Sequence, residues 1–85
     1  MISVQQIRGA RAMLGLRQED VARKAGLSIS TLNNVERGVQ TDPKTSTLQA
    51  IQRALESEGI EFIFSPKGYP GMILKPKDET TDKKA

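Results

Sequence analysis

The sequence predicts a mainly α-helical fold, in which a compact bundle of four helices is followed by a short C-terminal β-ribbon. Apolar residues recur at helical spacing in four segments of residues 1–59, and capping residues or glycines bound these segments. From residue 60 onward the apolar residues follow the alternation of a strand. With 85 residues, of which 36% are hydrophobic, the chain is predicted to form one small domain with a thin core.

The first helix is predicted to begin after Ser3 and to end near Leu14. Ser3 and Gln6 have the spacing of a capping box, in which each side chain satisfies a free backbone N–H group of the other residue. Gly15 follows at the position where a left-handed residue ends a helix. Arg11 lies in the otherwise apolar stripe of this helix, and an inward-facing charge needs a partner.

The second and third helices are predicted to be short and tightly linked. The second covers residues 18–25 and ends at Gly26. Ser28 is a favourable N-cap for the third, which runs to about Arg37 and is closed by Gly38. The third helix has one side for the core and an opposite side without acidic residues. On a helical wheel the core side carries Leu32, Val35 and Glu36, and the outer side carries Ser30, Asn33, Asn34 and Arg37, with Ile29 at its margin.

A fourth helix is predicted after a turn at Asp42 and Pro43. Ser46 and Gln49 form a second capping box at its start, and the helix ends near Gly59. Its inner face is apolar, as a helix that packs on the bundle requires.

The last part of the chain is predicted to form a β-ribbon over residues 60–76 and a disordered charged tail over residues 77–85. A run rich in proline and glycine, residues 65–71, separates the two strands. The sequence leaves open whether the strands pair within one chain or between two chains. Three apolar side chains of the ribbon are candidates for dimer or partner contacts: Phe62, Phe64 and Ile73.

The composition excludes several classes of function. The chain has no cysteine and no histidine, so it lacks disulfides, thiol nucleophiles, the usual zinc ligands and the commonest general base. We therefore expect no enzyme activity, no metal site and no cofactor. The chain also has neither an apolar run of the roughly 18 residues that a membrane span needs nor a signal-peptide pattern. We expect a cytoplasmic protein without a membrane partner.

The excess of positive charge lies mainly in the N-terminal part of the chain. Residues 1–53 have a net charge of +4, whereas residues 54–64 have a net charge of −3 and residues 65–85 a net charge of +2. This distribution favours an anionic partner for the helical part.

Two short helices joined through a glycine have the spacing of a helix-turn-helix, in which the second helix enters the major groove of DNA. Counted from Gln18, Ala22 is the fifth residue, where a small side chain lets the helices cross closely. Gly26 is the ninth and supplies the positive φ of the turn. Leu32, the fifteenth, and Val35, the eighteenth, anchor the second helix to the core.

The stretch from Leu14 to Gly38 closely resembles the Cro/CI (XRE) family of helix-turn-helix regulators, and the resemblance extends over about residues 1–57. It implies a lambda-repressor-like DNA-binding domain over residues 1–59. It also implies a bacterial transcription regulator, most simply a repressor, that binds a pseudo-palindromic operator on double-stranded DNA as a homodimer. The Gly-Ile-Glu-Phe-Ile segment is similar to the C-terminal extension of a subgroup of small family members.

The resemblance also implies DNA contacts at individual residues. Asn34 is the first candidate for a base contact, because an asparagine amide bonds N6 and N7 of adenine together. Ile29 either meets a thymine methyl group or forms peripheral core. The base-contact positions are Gln18, Ser28, Ile29, Ser30, Asn33 and Asn34, and the phosphate-contact positions are Arg17, Arg23, Arg37, Thr41 and Lys44, with Gln18 also close to phosphate.

Three positions have structural implications. The resemblance implies a salt bridge between Arg11 and Glu36, which would join the first helix to the third. Arg17 stands where the family usually has a serine or threonine N-cap. The second helix is therefore predicted to start without that cap, at a cost of roughly 0.5 to 2 kcal/mol.

An alternative function is a protein-interaction module, such as an antiactivator or an antitoxin-like inhibitor, with or without DNA binding. The edge of the ribbon is able to add a strand to a partner's sheet. The acid-free outer side of the third helix favours DNA as the partner, whereas the aromatic ribbon favours a protein. An RNA-binding function is disfavoured, because the sequence lacks the aromatic stacking surface of common RNA-binding modules.

Overall fold

Residues 1–39 and 43–75 are described by the computed structural model of the protein. Its elements in chain order are α1 (Val4–Leu14), α2 (Gln18–Ala25), α3 (Ile29–Glu36), α4 (Thr45–Glu56), β1 (Ile60–Phe64) and β2 (Pro70–Leu74). The predicted fold class, a helical bundle followed by a short β-ribbon, is confirmed for this part of the chain. No helix among the described residues has the length and apolar character that crossing a membrane requires. The predicted disordered tail, residues 77–85, and the loop residues Thr41 and Asp42 lie outside the described residues.

Both ends of α1 agree with the caps predicted from the sequence. The Ser3 Oγ accepts a hydrogen bond from the Gln6 backbone N–H at 3.1 Å, and the Gln6 Oε1 accepts one from the Ser3 N–H at 2.9 Å. Gly15 closes the helix with a φ of 69°, in the left-handed region that glycine adopts without strain. Local hydrogen bonds therefore define where this helix begins and ends.

The turn between α2 and α3 also forms as predicted. Gly26 has a φ of 73°, and the N–H of the next residue, Leu27, donates to the Ala22 carbonyl at 2.8 Å. The Ser28 Oγ accepts a hydrogen bond from the Thr31 N–H at 3.0 Å and caps α3. Short-range bonds thus set the geometry of the helix-turn-helix.

The start of α2 lacks a side-chain cap from Arg17, as predicted, but a carboxylate compensates for it. The Asp20 Oδ2 accepts a hydrogen bond from the Arg17 backbone N–H at 3.0 Å. This bond lowers the pKa of the Asp20 carboxyl below its ordinary value, and the nearby Arg23 guanidinium lowers the same pKa further. A carboxylate in the first turn also interacts favourably with the helix dipole. The helix is therefore capped from its third residue.

The predicted start of α4 is wrong. The helix begins at Thr45, with Lys44 at the N-cap and no hydrogen bond from the N-cap side chain. Ser46 lies inside the first turn instead of before it, so it does not form the predicted capping box with Gln49. The Thr47 and Leu48 N–H groups donate to the Lys44 carbonyl at 3.0 and 3.1 Å, so regular backbone bonds extend the helix two residues before the predicted start.

The core lies where the four helices of the described chain meet. Ile7 of α1, Val21 of α2, Leu32 of α3, and Ile51 and Leu55 of α4 are each at most 1% exposed. Burying a side chain of this size stabilises a fold by about 1.5–3 kcal/mol. This small set of side chains therefore holds every helix, including α3, in a fixed position.

The ribbon is a hairpin within one chain, which decides the alternative that the sequence left open. Its strands pair antiparallel, from Ile60 opposite Leu74 to Phe64 opposite Pro70. Ile60 is 3% exposed and belongs to the same core as the helices. Packing on the bundle thus stabilises a pair of strands that would be marginal in isolation.

Gln6 attaches this hairpin to α1. The residue is 1% exposed although it is polar, and its Nε2 donates to the Gly71 carbonyl at 2.8 Å. Helix α1 and strand β2 also approach each other closely at Gly9, where a Cβ atom would lie 2.8 Å from the Met72 Cε. The sequence predicts only the capping role of Gln6, so the bond to β2 is an additional finding.

Candidate nucleic-acid interface

One side of α3 faces solvent while the other is held in the core. Leu32 and Val35 are at most 1% exposed and fix the helix against the bundle. Ile29 is 51% exposed, so it faces solvent instead of forming peripheral core. We call the solvent-facing side the outer face of α3. It consists of Ile29, Ser30, Asn33 and Asn34, of which Asn33 is half-buried.

Ser28, a predicted base-contact residue, uses its hydroxyl group inside the protein. The Oγ accepts from the Thr31 N–H at 3.0 Å and donates to the Thr31 Oγ1 at 2.9 Å. A hydroxyl has one hydrogen, so donation to a base requires the bond to Thr31 to break. The geometry therefore favours a capping role for Ser28.

Arg11 and Glu36 form a salt bridge between α1 and α3. The Arg11 Nε and Nη2 each donate to a different carboxylate oxygen of Glu36, both at 2.9 Å. The Arg11 Nη1 also donates to the Leu16 carbonyl at 3.1 Å. Glu36 is 4% exposed, so this bidentate pair is largely removed from water. It ties α3 to the helix behind it.

Gln18 joins this salt bridge to the outer face of α3. Its Nε2 donates to the Glu36 Oε1 at 3.1 Å and to the Asn33 Oδ1 at 3.3 Å. The sequence predicts Gln18 only as a DNA contact, and both internal bonds were missed. The inward position of Glu36 on α3 indicates from the sequence that it needs a polar partner. The spacing of residues along the chain does not show that Gln18 of α2 is such a partner.

Two of the predicted phosphate-contact residues are exposed cations beside carboxylates of α2. The Arg17 side chain is 80% exposed and lies 3.6 Å from Glu19, and the Arg23 side chain is 71% exposed and lies 3.2 Å from Asp20. Exposed ion pairs of this kind contribute little to stability. A phosphate group can therefore replace either carboxylate at a small cost.

Two further predicted phosphate-contact residues stand at helix ends. Arg37 is the C-cap of α3 and Lys44 is the N-cap of α4. Both residues are exposed. Thr41, the remaining predicted phosphate contact, lies outside the described residues.

The hairpin exposes apolar side chains of its own. Phe62 is half-buried and packs against the core, whereas Phe64 is 44% and Ile73 is 48% exposed. Ile63 and Tyr69 are also exposed, at 37% and 65%, and were not among the contacts predicted from the sequence. Of the three predicted dimer or partner contacts, Phe64 and Ile73 are therefore accessible and Phe62 is largely used by the core.

A family model described as helix-turn-helix matches residues 7–62, about two thirds of the chain. The match starts within α1, covers α2, α3 and α4, and ends in β1. No curated protein shows significant similarity to the chain.

Proposed function

Because the chain belongs to the Cro/CI-type (XRE) family of helix-turn-helix DNA-binding regulators, we propose that it is a sequence-specific transcriptional repressor that binds a pseudo-palindromic operator as a homodimer. The observation that carries the proposal is the outer face of α3, which presents two asparagine amides and no acidic side chain. Leu32 and Val35 hold this face rigidly. A polar helix face of this kind is complementary to base edges in the major groove.

In the proposed complex α3 lies in the major groove of DNA. The exposed amide of Asn34 offers a donor to N7 and an acceptor to N6 of adenine, and Ile29 contacts a thymine methyl group. Arg17, Arg37 and Lys44 neutralise phosphate charges, which positions the protein without specifying a sequence. Occupation of an operator in the cytoplasm is then sufficient for repression by occlusion, and this mechanism requires no cofactor.

The homodimer in this proposal follows from the geometry of DNA. A pseudo-palindrome presents the same half-site again about 34 Å away, and two copies of α3 reach both half-sites together. The outer side of the hairpin offers a contact surface for the second copy, because Ile63 and Ile73 are exposed there. Burial of these side chains removes apolar surface from water.

A protein-interaction module is the second candidate function. It is favoured by the exposed apolar side chains of the hairpin, Ile63, Phe64 and Ile73. A two-stranded sheet also has backbone edges to which a partner's strand can pair. Ile63 and Ile73 also serve the homodimer in the first proposal, so the two functions are distinguished by DNA binding.

Selection from randomised duplexes, with sequencing of the bound fraction, tests the proposed function. The unchanged chain should enrich a pseudo-palindromic motif. Asn34→Ala should relax one position in each half-site by about 1–3 kcal/mol, because a base contact discriminates among sequences. Lys44→Ala should weaken binding to all sequences alike and lower the slope of log affinity against log salt concentration by about one per site.

Gln49→Ala is the matched control, because Gln49 is an exposed side chain of α4 outside the proposed interface. It should leave the motif, the affinity and the salt slope unchanged. Absence of a motif for the unchanged chain would contradict the proposed function even if the chain binds all duplexes alike, and so would absence of binding at moderate salt. That result would favour the interaction module.

A further inference from the structure

Four polar side chains form a continuous series of hydrogen bonds from the buried salt bridge to the outer face of α3. Arg11 donates to Glu36, Glu36 accepts from Gln18, and Gln18 donates to Asn33, at distances of 2.9, 3.1 and 3.3 Å. Glu36 is buried and Asn33 is half-buried at the other end. The series therefore ends on a residue of the proposed base-contacting face.

The first members of the series determine the direction of every hydrogen bond in it. A guanidinium only donates and an ionised carboxylate only accepts, so Gln18 has to turn its amide nitrogen toward Glu36. The same nitrogen bonds Asn33, so Asn33 has to present its Oδ1 to Gln18. Because an amide carries its oxygen and nitrogen on opposite sides, the Nδ2 of Asn33 is directed away from Gln18.

We propose that this series makes Asn33 a donor-only contact, which favours guanine or thymine over adenine at its base position. The inference rests on the proposed function. Guanine offers N7 and O6 as acceptors, and thymine offers O4. Adenine places the N6 donor beside N7, and the Asn33 Oδ1 that would accept from N6 is turned toward Gln18 instead, so the Asn33 Nδ2 would meet the N6 donor. Gln18 is therefore a positioning residue for base specificity.

Asn34 provides an internal comparison, since it carries the same side chain on the same helix. It is exposed, and no side chain among residues 1–39 and 43–75 holds its amide. Its amide is free to present a donor and an acceptor together, as adenine requires. The two neighbouring asparagines thus have different base preferences because only Asn33 has an internal partner.

The duplex selection with two added variants tests the inference. Asn33→Ala identifies the base position that depends on Asn33, and Gln18→Met removes the amide donors while keeping the side-chain length. At that position the unchanged chain should favour guanine or thymine over adenine by at least about fivefold, the lower end of discrimination by a good base contact. Gln18→Met frees the Asn33 amide to rotate, so adenine should come within about twofold of the preferred base.

Gln49→Met is the matched control, because it makes the same substitution at an exposed glutamine of α4. It should leave the base preference unchanged, and circular dichroism shows whether each variant is folded. A second measurement needs neither DNA nor a variant. In the NMR spectrum of the unchanged chain, the side-chain amide protons of Gln18 should exchange with solvent more slowly than those of Gln49.

The possible outcomes separate the inference from the proposed function. The inference is overturned, while the function stands, if the selected motif has adenine at the Asn33-dependent position. The same holds if Asn33→Ala changes the preference at no position of the motif. An unchanged preference in folded Gln18→Met, or equal exchange of the Gln18 and Gln49 amides, also overturns it. Absence of any motif for the unchanged chain overturns the function and the inference together.

Discussion

Glu36 is a buried carboxylate whose charge is balanced by Arg11. Its side chain is 5% exposed, and two bonds of 2.9 Å join it to the guanidinium. Moving a carboxylate out of water costs several kcal/mol, which the paired guanidinium offsets. Removal of one member of the pair therefore leaves an unpaired charge, whereas removal of both members does not.

Arg11→Met should destabilise the protein by about 3 kcal/mol, because it leaves Glu36 buried without its cation. The effect should lie at the lower end of the range for buried pairs, since the Arg11 side chain is 26% exposed. The double variant Arg11→Met/Glu36→Met should recover most of the loss, because no unpaired charge remains. Urea denaturation measures both free energies of unfolding, and a double variant no more stable than Arg11→Met would contradict this account.

At the scale of the elements, Gly59 connects α4 to the hairpin under two constraints. Its φ is 106°, and its carbonyl accepts a hydrogen bond from the Lys75 N–H at 2.8 Å. A Cβ atom at this position would lie 2.6 Å from the Lys75 carbonyl oxygen. Gly68, between β1 and β2, shares the positive φ, at 84°, but has nothing within 4 Å of a Cβ.

Gly59→Ala should therefore destabilise the protein more than Gly68→Ala, and the difference isolates the steric contribution. Gly68→Ala should cost about 1–2 kcal/mol, the strain of a left-handed alanine. Gly59→Ala should exceed this value, because the hairpin end also has to move away from the new methyl group. Urea denaturation gives both values; equal losses would mean that a small backbone shift relieves the collision.

At the scale of the whole molecule, the inner side of the hairpin is part of the core and its outer side is open. Ile60 is 3% exposed on the inner side, whereas Ile63 and Ile73 are 37% and 48% exposed on the outer side. Deleting the hairpin to test dimerisation would therefore expose the core as well. A substitution on the outer side changes the proposed dimer surface alone.

Ile73→Ser should raise the dimer dissociation constant by at least about tenfold. Each buried isoleucine contributes about 1.5–3 kcal/mol, and a two-fold symmetric interface buries the residue twice. Val39→Ser is the control, because Val39 is 56% exposed in the segment after α3, outside the hairpin. Sedimentation velocity measures the association, and an unchanged dimer in Ile73→Ser would exclude this surface as the interface.

The ends of α1 and the turn before α3 could be predicted from the sequence because local interactions set them. Ser3 bonds a backbone group three residues away, Ser28 does the same, and Gly26 adopts a φ that other residues rarely take. The start of α4 was missed because Ser46 and Gln49 have the local pattern of a capping box, whereas the backbone bond from the Leu48 N–H to the Lys44 carbonyl begins the helix two residues earlier.

The helix-turn-helix spacing, the caps of α1 and α3 and the side of α3 that faces solvent follow from the order of residues along the chain. Contacts between distant residues depend instead on how the helices cross and where the hairpin packs. Gln18 meets Asn33 across 15 residues, and Gln6 meets Gly71 across 65. An asparagine on the outer face of α3 is therefore evident from the sequence, but the packing of α2 against α3 decides which end of its amide faces outward.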